Sequence, residues 1–332
     1  MDMQPSRVVV QFNAAELGNE LARALNAPLI STRIVRFADT ECDVVLDQTF
    51  HHVRGKEVIL VAQVGGAFAA WSINDFLLML CFLASRIRAA GATSLRCLFP
   101  YFPYARQDID AVHGGISSAR IFSDFLKAAG VDHVITFDLH NPHLLGIVNL
   151  SITNILCNDF WLEIIKNFMQ QKAAASYVLV APDSGAALRV QTLATRLGVE
   201  PCFVAKRRTD INYATAISLS GDVKGKYALI LDDIIDTGRT AVGAAELVLH
   251  HGASGVSAFF THAILSSASL AVMQPSPFEQ VIVTDTLHRT TLGYEILGYE
   301  SVIPFIVTQV MQMLCESSYK DKASQGIYEP AI

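Results

Sequence analysis

The chain has 332 residues, of which 52% are hydrophobic and only 17% charged, with a formal net charge of -6. That length favours roughly two domains of ordinary size. A net-negative chain without a long basic run lacks the electrostatic footprint of a nucleic-acid binder. Its longest unbroken apolar run, Phe76 to Ala84, falls far short of the roughly 20 residues a membrane-spanning helix needs. The opening MDMQPSRVVVQF has neither an apolar signal core nor a small-residue cleavage step, so the expected setting is the cytoplasm. Cys42, Cys81, Cys97, Cys157, Cys202 and Cys315 are scattered, with no C-x-x-C pair. They read as small hydrophobes in a reducing compartment rather than disulfides or zinc ligands. The low charged fraction also points to surface buried between subunits.

In chain order the pattern predicts a strand at 8–12, a helix at 14–26, a strand at 57–62, a helix at 72–90, a strand at 94–99 and a helix at 117–129. Then come a strand at 133–137, a helix at 157–171, a strand at 177–180, a helix at 185–197, and strands at 201–205 and 227–231. A helix at 240–251, strands at 256–260 and 281–284, and a helix at 305–315 complete the series. Strands alternating with helices of this length argue for β-α-β units and mostly parallel sheets. Several strands are continuous apolar runs, as expected when both faces are covered. The reading is an α/β chain with two sheets in tandem: one domain over 1–150, a second over 151–315, and a polar tail over 316–332. HVITFDLH at 133–140 and YALILDD at 227–233 form an internal echo, each an apolar strand ending in acid. Ligands of open α/β sheets gather at the carboxyl ends of strands, so these two ends are where chemistry is expected.

The sharpest local signal runs from Leu229 to Thr240, LILDDIIDTGRT. An apolar strand delivers Asp232 and Asp233, then Asp236, Thr237, Gly238, Arg239 and Thr240 lead into a helix. Backbone N–H groups at a helix start, with threonine hydroxyls beside them, suit a phosphate dianion. Gly238 allows close backbone approach, and the upstream carboxylates can accept hydrogen bonds from sugar hydroxyls. Helix capping alone would explain a bare D-T-G. Two acids, D-T-G-x-T and a strand–loop–helix context together favour a sugar 5-phosphate site.

This segment resembles the phosphoribosyl-pyrophosphate loop of type I phosphoribosyltransferases and of ribose-phosphate pyrophosphokinases. Other segments choose the pyrophosphokinases. Arg36-Phe-Ala-Asp-Thr-Glu41 resembles that family's R-F-S-D-G-E, and Pro100-Tyr-Phe-Pro-Tyr-Ala-Arg-Gln-Asp108 resembles P-Y-F-x-Y-A-R-Q-D. Thr136-Phe-Asp-Leu-His140 resembles T-x-D-L-H, Ala181-Pro-Asp-Ser-Gly185 resembles S-P-D-x-G, and Lys206-Arg-Arg208 resembles K-R-R. Thr261-His262 and Thr284-Asp-Thr286 match weaker family segments. The set is collinear from 36 to 286, whereas one short motif would carry little weight.

The resemblance implies two tandem type I phosphoribosyltransferase-like domains, each a mostly parallel sheet flanked by helices. It implies transfer of the β,γ-diphosphoryl group of MgATP to the 1-hydroxyl of ribose 5-phosphate. Phe37, Asp39, Glu41, Arg106, Gln107 and Asp108 then bind ATP, with Asp39 and Glu41 serving a neighbouring subunit. Asp232, Asp233 and residues 236–240 bind ribose 5-phosphate. Lys206 and Arg208 are catalytic, and His140 and Asp183 lie beside Mg2+. The implied assembly is a dimer-based homo-oligomer, up to a hexamer. The residues themselves add that Arg106 can pair with phosphate and Gln107 with a base edge. Tyr101, Phe102 and Tyr104 suit either adenine or the core. Asp39 and Glu41, alternating with Ala38 and Thr40, share a face if the segment is extended.

Two stretches depart from the family. Residues 109–116, IDAVHGGI, contain no Lys or Arg, and Gln63-Val-Gly-Gly-Ala67 replaces the usual S-T-x-x-P beside a regulatory site whose arginine Arg54 matches. These departures imply a weak response to inorganic phosphate. They keep two alternatives in view: a catalytically weakened paralogue that regulates or scaffolds an active enzyme, and a base phosphoribosyltransferase.

Overall fold

The computed structural model describes residues 6–46, 50–65, 72–107, 117–172, 176–207, 216–289 and 295–324. Its contacts divide the chain into two units. The first comprises Met1–Thr136, His143–Ile155 and Val302–Ile332, and the second Phe137–Pro142 and Leu156–Ser301.

The first sheet is built from β1 (Arg7–Phe12), β2 (Leu29–Arg36), β3 (Cys42–Leu46), β4 (Glu57–Ala62), β5 (Ser94–Phe99), β6 (His133–Phe137) and β7 (Ser151–Ile155). Helices α1 (Ala15–Ala24), α2 (Ile73–Ala89) and α3 (Ser118–Ala128) connect them. The strand order is β3-β2-β1-β4-β5-β6-β7. From β2 through β6 neighbouring strands run parallel, and β3 is antiparallel to β2. In the central strand β4, EVILVA, Val58 to Ala62 are all buried, which is why it reads as a continuous apolar run. Ser72 caps α2 through a reciprocal box with Asp75, and Ser117 caps α3.

The second unit repeats the plan. It contains α4 (Asn158–Lys172), β8 (Tyr177–Ala181), α5 (Ala187–Leu197), β9 (Glu200–Arg207), β10 (Ala216–Ser220), β11 (Tyr227–Ile235), α6 (Arg239–His250), β12 (Gly255–Ala263), α7 (Ser269–Met273), β13 (Gln280–Thr284) and β14 (Leu297–Glu300). Its order, β10-β9-β8-β11-β12-β13-β14, is the first sheet's shifted by seven. The antiparallel pair is again at one edge, β10 on β9. The last helix, α8 (Ile303–Ser324), packs on α1 and belongs to the first unit, as α4 packs on α5 in the second. The sequence boundary had placed this helix in the second domain and ended it at 315. Its backbone continues to Ser324, and residues 325–332 lie outside the described set.

The repeat corrects the internal echo. β11 occupies the place of β4, and β6 that of β13. The counterpart of HVITFDLH is therefore QVIVTDTLH at 280–288, not YALILDD. The sequence reading also missed β2, β3, β7, β10 and β14. All five lie at or next to a sheet edge. β2, LISTRIVR, buries only Ile30 fully, and β7, SITNI, buries none of its residues fully. Strands covered so lightly carry no long apolar run for a pattern to detect.

A polar ladder crosses the first sheet near the strand starts. Glu57 on β4 accepts from Arg7 at 2.5 Å and from Arg96 at 3.0 Å. Next to Arg96, the His133 ring lies 2.8 Å from Ser151 Oγ and 3.0 Å from Thr153 Oγ1. Burial, and then the Arg96 charge, hold His133 below its ordinary pKa. The unfolded chain therefore takes up a proton near pH 6.5 that the folded chain still refuses. Stability contributed by neutral His133 is complete above that pH and is lost as the pH falls through it. Urea midpoints at pH 7.5 and 5.0 should drop more for the wild type than for His133→Gln; equal drops in both would remove His133 from the acid response.

Candidate active site

Apolar residues carry β11 through the middle of the second sheet, and Asp232 and Asp233 ride on its carboxyl end. The strand continues to Ile235, so both acids sit within it rather than after it. Period-two alternation turns Asp233 inward, where it is buried. β8 pairs in parallel with β11 through Val180↔Ile230. The turn bearing Asp183 thus leaves the sheet beside the acid pair. Asp183 Oδ1 accepts from Gly185 N at 2.9 Å, which shapes that turn.

The two neighbouring carboxylates are driven apart electrostatically. Burial first, and then the charge of Asp233, push Asp232 well above the usual carboxylate range, with Asp183 adding to the effect. Burial also opposes ionisation of Asp233. The His140 hydrogen bond and the Arg189 charge outweigh it and hold Asp233 low. His140 Nδ1 lies 2.8 Å from Asp233 Oδ2. Because ionised Asp233 can only accept, Nδ1 carries the proton, and a neutral ring keeps its lone pair on Nε2.

Beyond β11 the chain enters α6 through Gly238, at φ +79°. A Cβ there would lie 2.4 Å from Met273 Sδ, so both the backbone and the space call for glycine. Gly238 provides no side-chain cap for the first turn of α6. The strand–glycine–helix order expected from sequence is present, and Thr237 Oγ1 accepts from Arg239 N at 3.5 Å at the start of α6. Arg239 is exposed on the same turn.

The ATP-side residues lie in the first unit. Phe37, Asp39 and Glu41 form the tip of the β2–β3 hairpin, all exposed, with Phe37 at 51%. Phe37 N donates to Glu41 O, Thr40 has φ +74°, and Asp39 Oδ1 accepts from Glu41 N at 3.1 Å. The segment is a tight turn, not the extended strand that would put Asp39 and Glu41 on one face. Arg106 and Gln107 stand exposed after a second turn closed by Gln107 N to Tyr104 O at 2.8 Å. Of the nearby aromatics, Tyr101 and Phe102 are buried. The Phe102 and Tyr104 rings pack on Phe122, so core packing accounts for both. Asp108, the 109–116 stretch and Arg208 lie outside the described residues, and for Lys206 only the β9 backbone is described.

Sequence reasoning gave no role to Asp138, Thr261, His262 or Arg189, yet these surround the acid pair. Asp138 is wholly buried and paired with Arg189. It also accepts from Thr261 Oγ1 at 2.6 Å and Cys157 N at 3.0 Å. The signal for Arg189 was present: it lies four residues before Leu193, on the apolar face of α5.

Two family models match this chain. One, described as the N-terminal domain of ribose phosphate pyrophosphokinase, covers residues 7–130, and another, the phosphoribosyl synthetase-associated domain, covers 201–296. A ribose-phosphate pyrophosphokinase of Caldanaerobacter subterraneus subsp. tengcongensis is 32% identical over 272 residues, 82% of this chain and 83% of that one. The chain belongs to the ribose-phosphate pyrophosphokinase family. The Agrobacterium fabrum member is 31% identical over 311 residues, 94% of this chain and 95% of its own length. Among solved structures, phosphoribosylpyrophosphate synthetase from Mycobacterium smegmatis aligns with a TM-score of 0.82 and 26% identity, over 94% of this chain and 99% of that one.

The acid pair also fits a divalent cation. Asp232 and Asp233 concentrate negative charge, and burial makes the charged form of Asp232 costly. Such a site favours a hard cation with oxygen ligands. No group of three ligating side chains occurs among the described residues.

The geometry of Gly238 makes a direct prediction. Gly238→Ala should destabilise the protein by about 1–3 kcal/mol, from its left-handed backbone and the crowding against Met273. Adding Met273→Ala should relieve only the steric share. Urea titration of the single and double variants measures both, and an unchanged midpoint for Gly238→Ala would contradict the account.

Proposed function

We propose that this protein transfers the β,γ-diphosphoryl group of MgATP to O1 of ribose 5-phosphate, giving phosphoribosyl pyrophosphate and AMP. The observation that carries the reading is the acid pair on β11, half-buried Asp232 and buried Asp233, on a strand that runs directly into the glycine-started helix α6, in a chain whose relatives bear that enzyme's name. The helix start at 236–240 holds the 5-phosphate. Asp232 and Asp233 receive the ribose hydroxyls and orient O1 for in-line attack on the β-phosphorus. The new bond is O1–Pβ, and the O1 proton is lost to water. The bond that breaks joins the β-phosphorus to the bridging oxygen, which leaves with AMP. Bound Mg2+, beside Asp183 and the His140–Asp233 pair, supplies charge neutralisation on the phosphates. Lys206 and Arg208 stabilise charge on the migrating group, and no single side chain serves as general base. Catalysis of this kind rests on alignment and electrostatics.

The exposed hairpin tip supports a second part of the proposal. Phe37, Asp39 and Glu41 present polar and aromatic surface away from their own core, which suits a neighbouring subunit's ATP site in a homo-oligomer. Arg106, Gln107 and Asp108 seat ATP within the chain. No helix among the described residues is long and apolar enough to cross a membrane, in keeping with a cytoplasmic enzyme.

Incubation with ATP, Mg2+ and ribose 5-phosphate should yield AMP and phosphoribosyl pyrophosphate in equal amounts. Absence of both would favour the weakened paralogue, and nucleotide formation from a base and phosphoribosyl pyrophosphate would favour the transferase. Lys206→Ala should lower turnover by about two to four powers of ten with little effect on folding. Asp236→Asn and Thr240→Val should weaken ribose 5-phosphate binding more than ATP binding; a selective loss of ATP affinity would reverse the subsites. Mixing inactive Lys206→Ala chains with inactive Asp39→Ala/Glu41→Ala chains should restore activity, because mixed oligomers contain some intact sites. No recovery after verified subunit exchange would remove the hairpin from the neighbour's site.

A further inference from the structure

The His140 ring is 40% exposed, and the backbone beneath it belongs to no helix or strand. β6 ends at Phe137, and the next ordered turn, Pro142–Gly146, begins two residues after His140. Something other than regular secondary structure must fix the ring's position against Asp233. The candidates lie at residue 138. Asp138 has φ +41°, a left-handed conformation that a non-glycine residue adopts at a cost and that persists only when its surroundings impose it.

Those surroundings grip the residue on both sides. Its carboxylate takes Arg189 and Thr261 on Oδ2 and the Cys157 amide on Oδ1. Trp161 Nε1 donates to Thr261 Oγ1 at 2.9 Å, so the threonine hydroxyl is itself oriented. On the backbone side, His262 Nε2 lies 3.1 Å from Phe137 O and 3.3 Å from Asp138 O. The His262 ring is held in turn by Thr286 Oγ1 at 2.9 Å, and Thr284 and Thr286 both donate to Thr261 O. The Arg189 side chain is only 14% exposed. Besides pairing with Asp138, its charge acts on Asp233.

We infer that Arg189 and Asp138 form a buried positioning pair that sets the backbone under His140 and so directs its ring onto Asp233. This rests on the diphosphotransfer reading, in which the His140–Asp233 pair faces the phosphates. In that reading neither residue of the positioning pair is assigned a contact with substrate. Arg189 acts through Asp138 on His140, and through space on Asp233.

A pair that only glued the fold would stabilise it equally well wherever His140 pointed. The test separates the two roles. Asp138→Asn and Arg189→Gln alone should each lower the melting midpoint, because each strands a buried charge. The double variant Asp138→Asn/Arg189→Gln leaves a neutral hydrogen-bonding pair and should recover most of that loss. Its turnover should stay about 100-fold low, the scale of a small misplacement at a reacting centre, with KM for ATP changed far less. In 15N-histidine-labelled protein without substrate, wild-type His140 should show the Nδ1-protonated tautomer, and the double variant a mixture of tautomers. Thr261→Val, which removes one hydroxyl and keeps the shape, should move both readouts in the same direction, and Thr261→Ser should restore them. It carries the test if the double variant fails to fold. Wild-type turnover and an unchanged tautomer in a folded variant would overturn the inference. A wild type that makes no phosphoribosyl pyrophosphate but shows the tautomer change would refute the reaction and leave the positioning pair standing.

Discussion

Two carboxylates on adjacent residues of one strand, at the edge of an apolar core, cannot both remain charged without compensation. That constraint organises the second unit. Asp233 stays ionised because His140 donates to it and Arg189 lies close by, while Asp232 is left with the unfavourable share. The two carboxylates thus differ before any ligand arrives: His140 and Arg189 favour the charged form of Asp233, while burial and the neighbouring acids oppose that of Asp232. A buried acid pair of this kind weakens the fold unless something cationic or protic meets it. The surroundings of Asp138 follow from the same requirement, since Arg189 is itself a buried charge and needs Asp138 as its partner.

How much of this was legible in the sequence depended on where the apolar residues lie. The nine predicted strands all exist, because none is an edge strand and most of the residues in each are apolar. The five missed strands are the lightly covered ones, whose pairing is set by neighbours rather than by their own composition. The local motif from Asp232 to Thr240 was readable as strand, loop and helix, since its glycine and threonines have position-specific meaning. Whether Asp39 and Glu41 share a face was left open, because alternation alone cannot distinguish a strand from a hairpin tip. Thr40 at φ +74° makes that turn, and threonine does not advertise a left-handed backbone.

The residues around Asp138 were illegible for a different reason. They come from positions 138, 157, 189, 261, 262, 284 and 286, and only the fold brings them together. Thr261-His262 and Thr284-Asp-Thr286 were visible as segments without a task. Their task is mechanical: at the ends of β12 and β13 they close hydrogen bonds around the chain at 137–138. Arg189 was hidden in plain view on an apolar helix face, where a charged residue signals a buried partner.

The duplicated topology shows why the fold alone would not have located the chemistry. β4 and β11 hold the same place in their sheets, yet their carboxyl ends differ completely. After β4 the chain carries Gln63 and Gly65, whose carbonyls accept two hydrogen bonds from Asn13 at 2.9 Å. Gln63 and Gly65 are uncharged and are tied to their own unit. After β11 it carries Asp232, Asp233 and Asp236 and then a helix that starts at Gly238 without a side-chain cap from that residue. Two sheets with one strand order therefore carry different residues at corresponding strand ends. The difference lies in fewer than ten residues, and those residues, rather than the sheet that displays them, determine what each unit can bind.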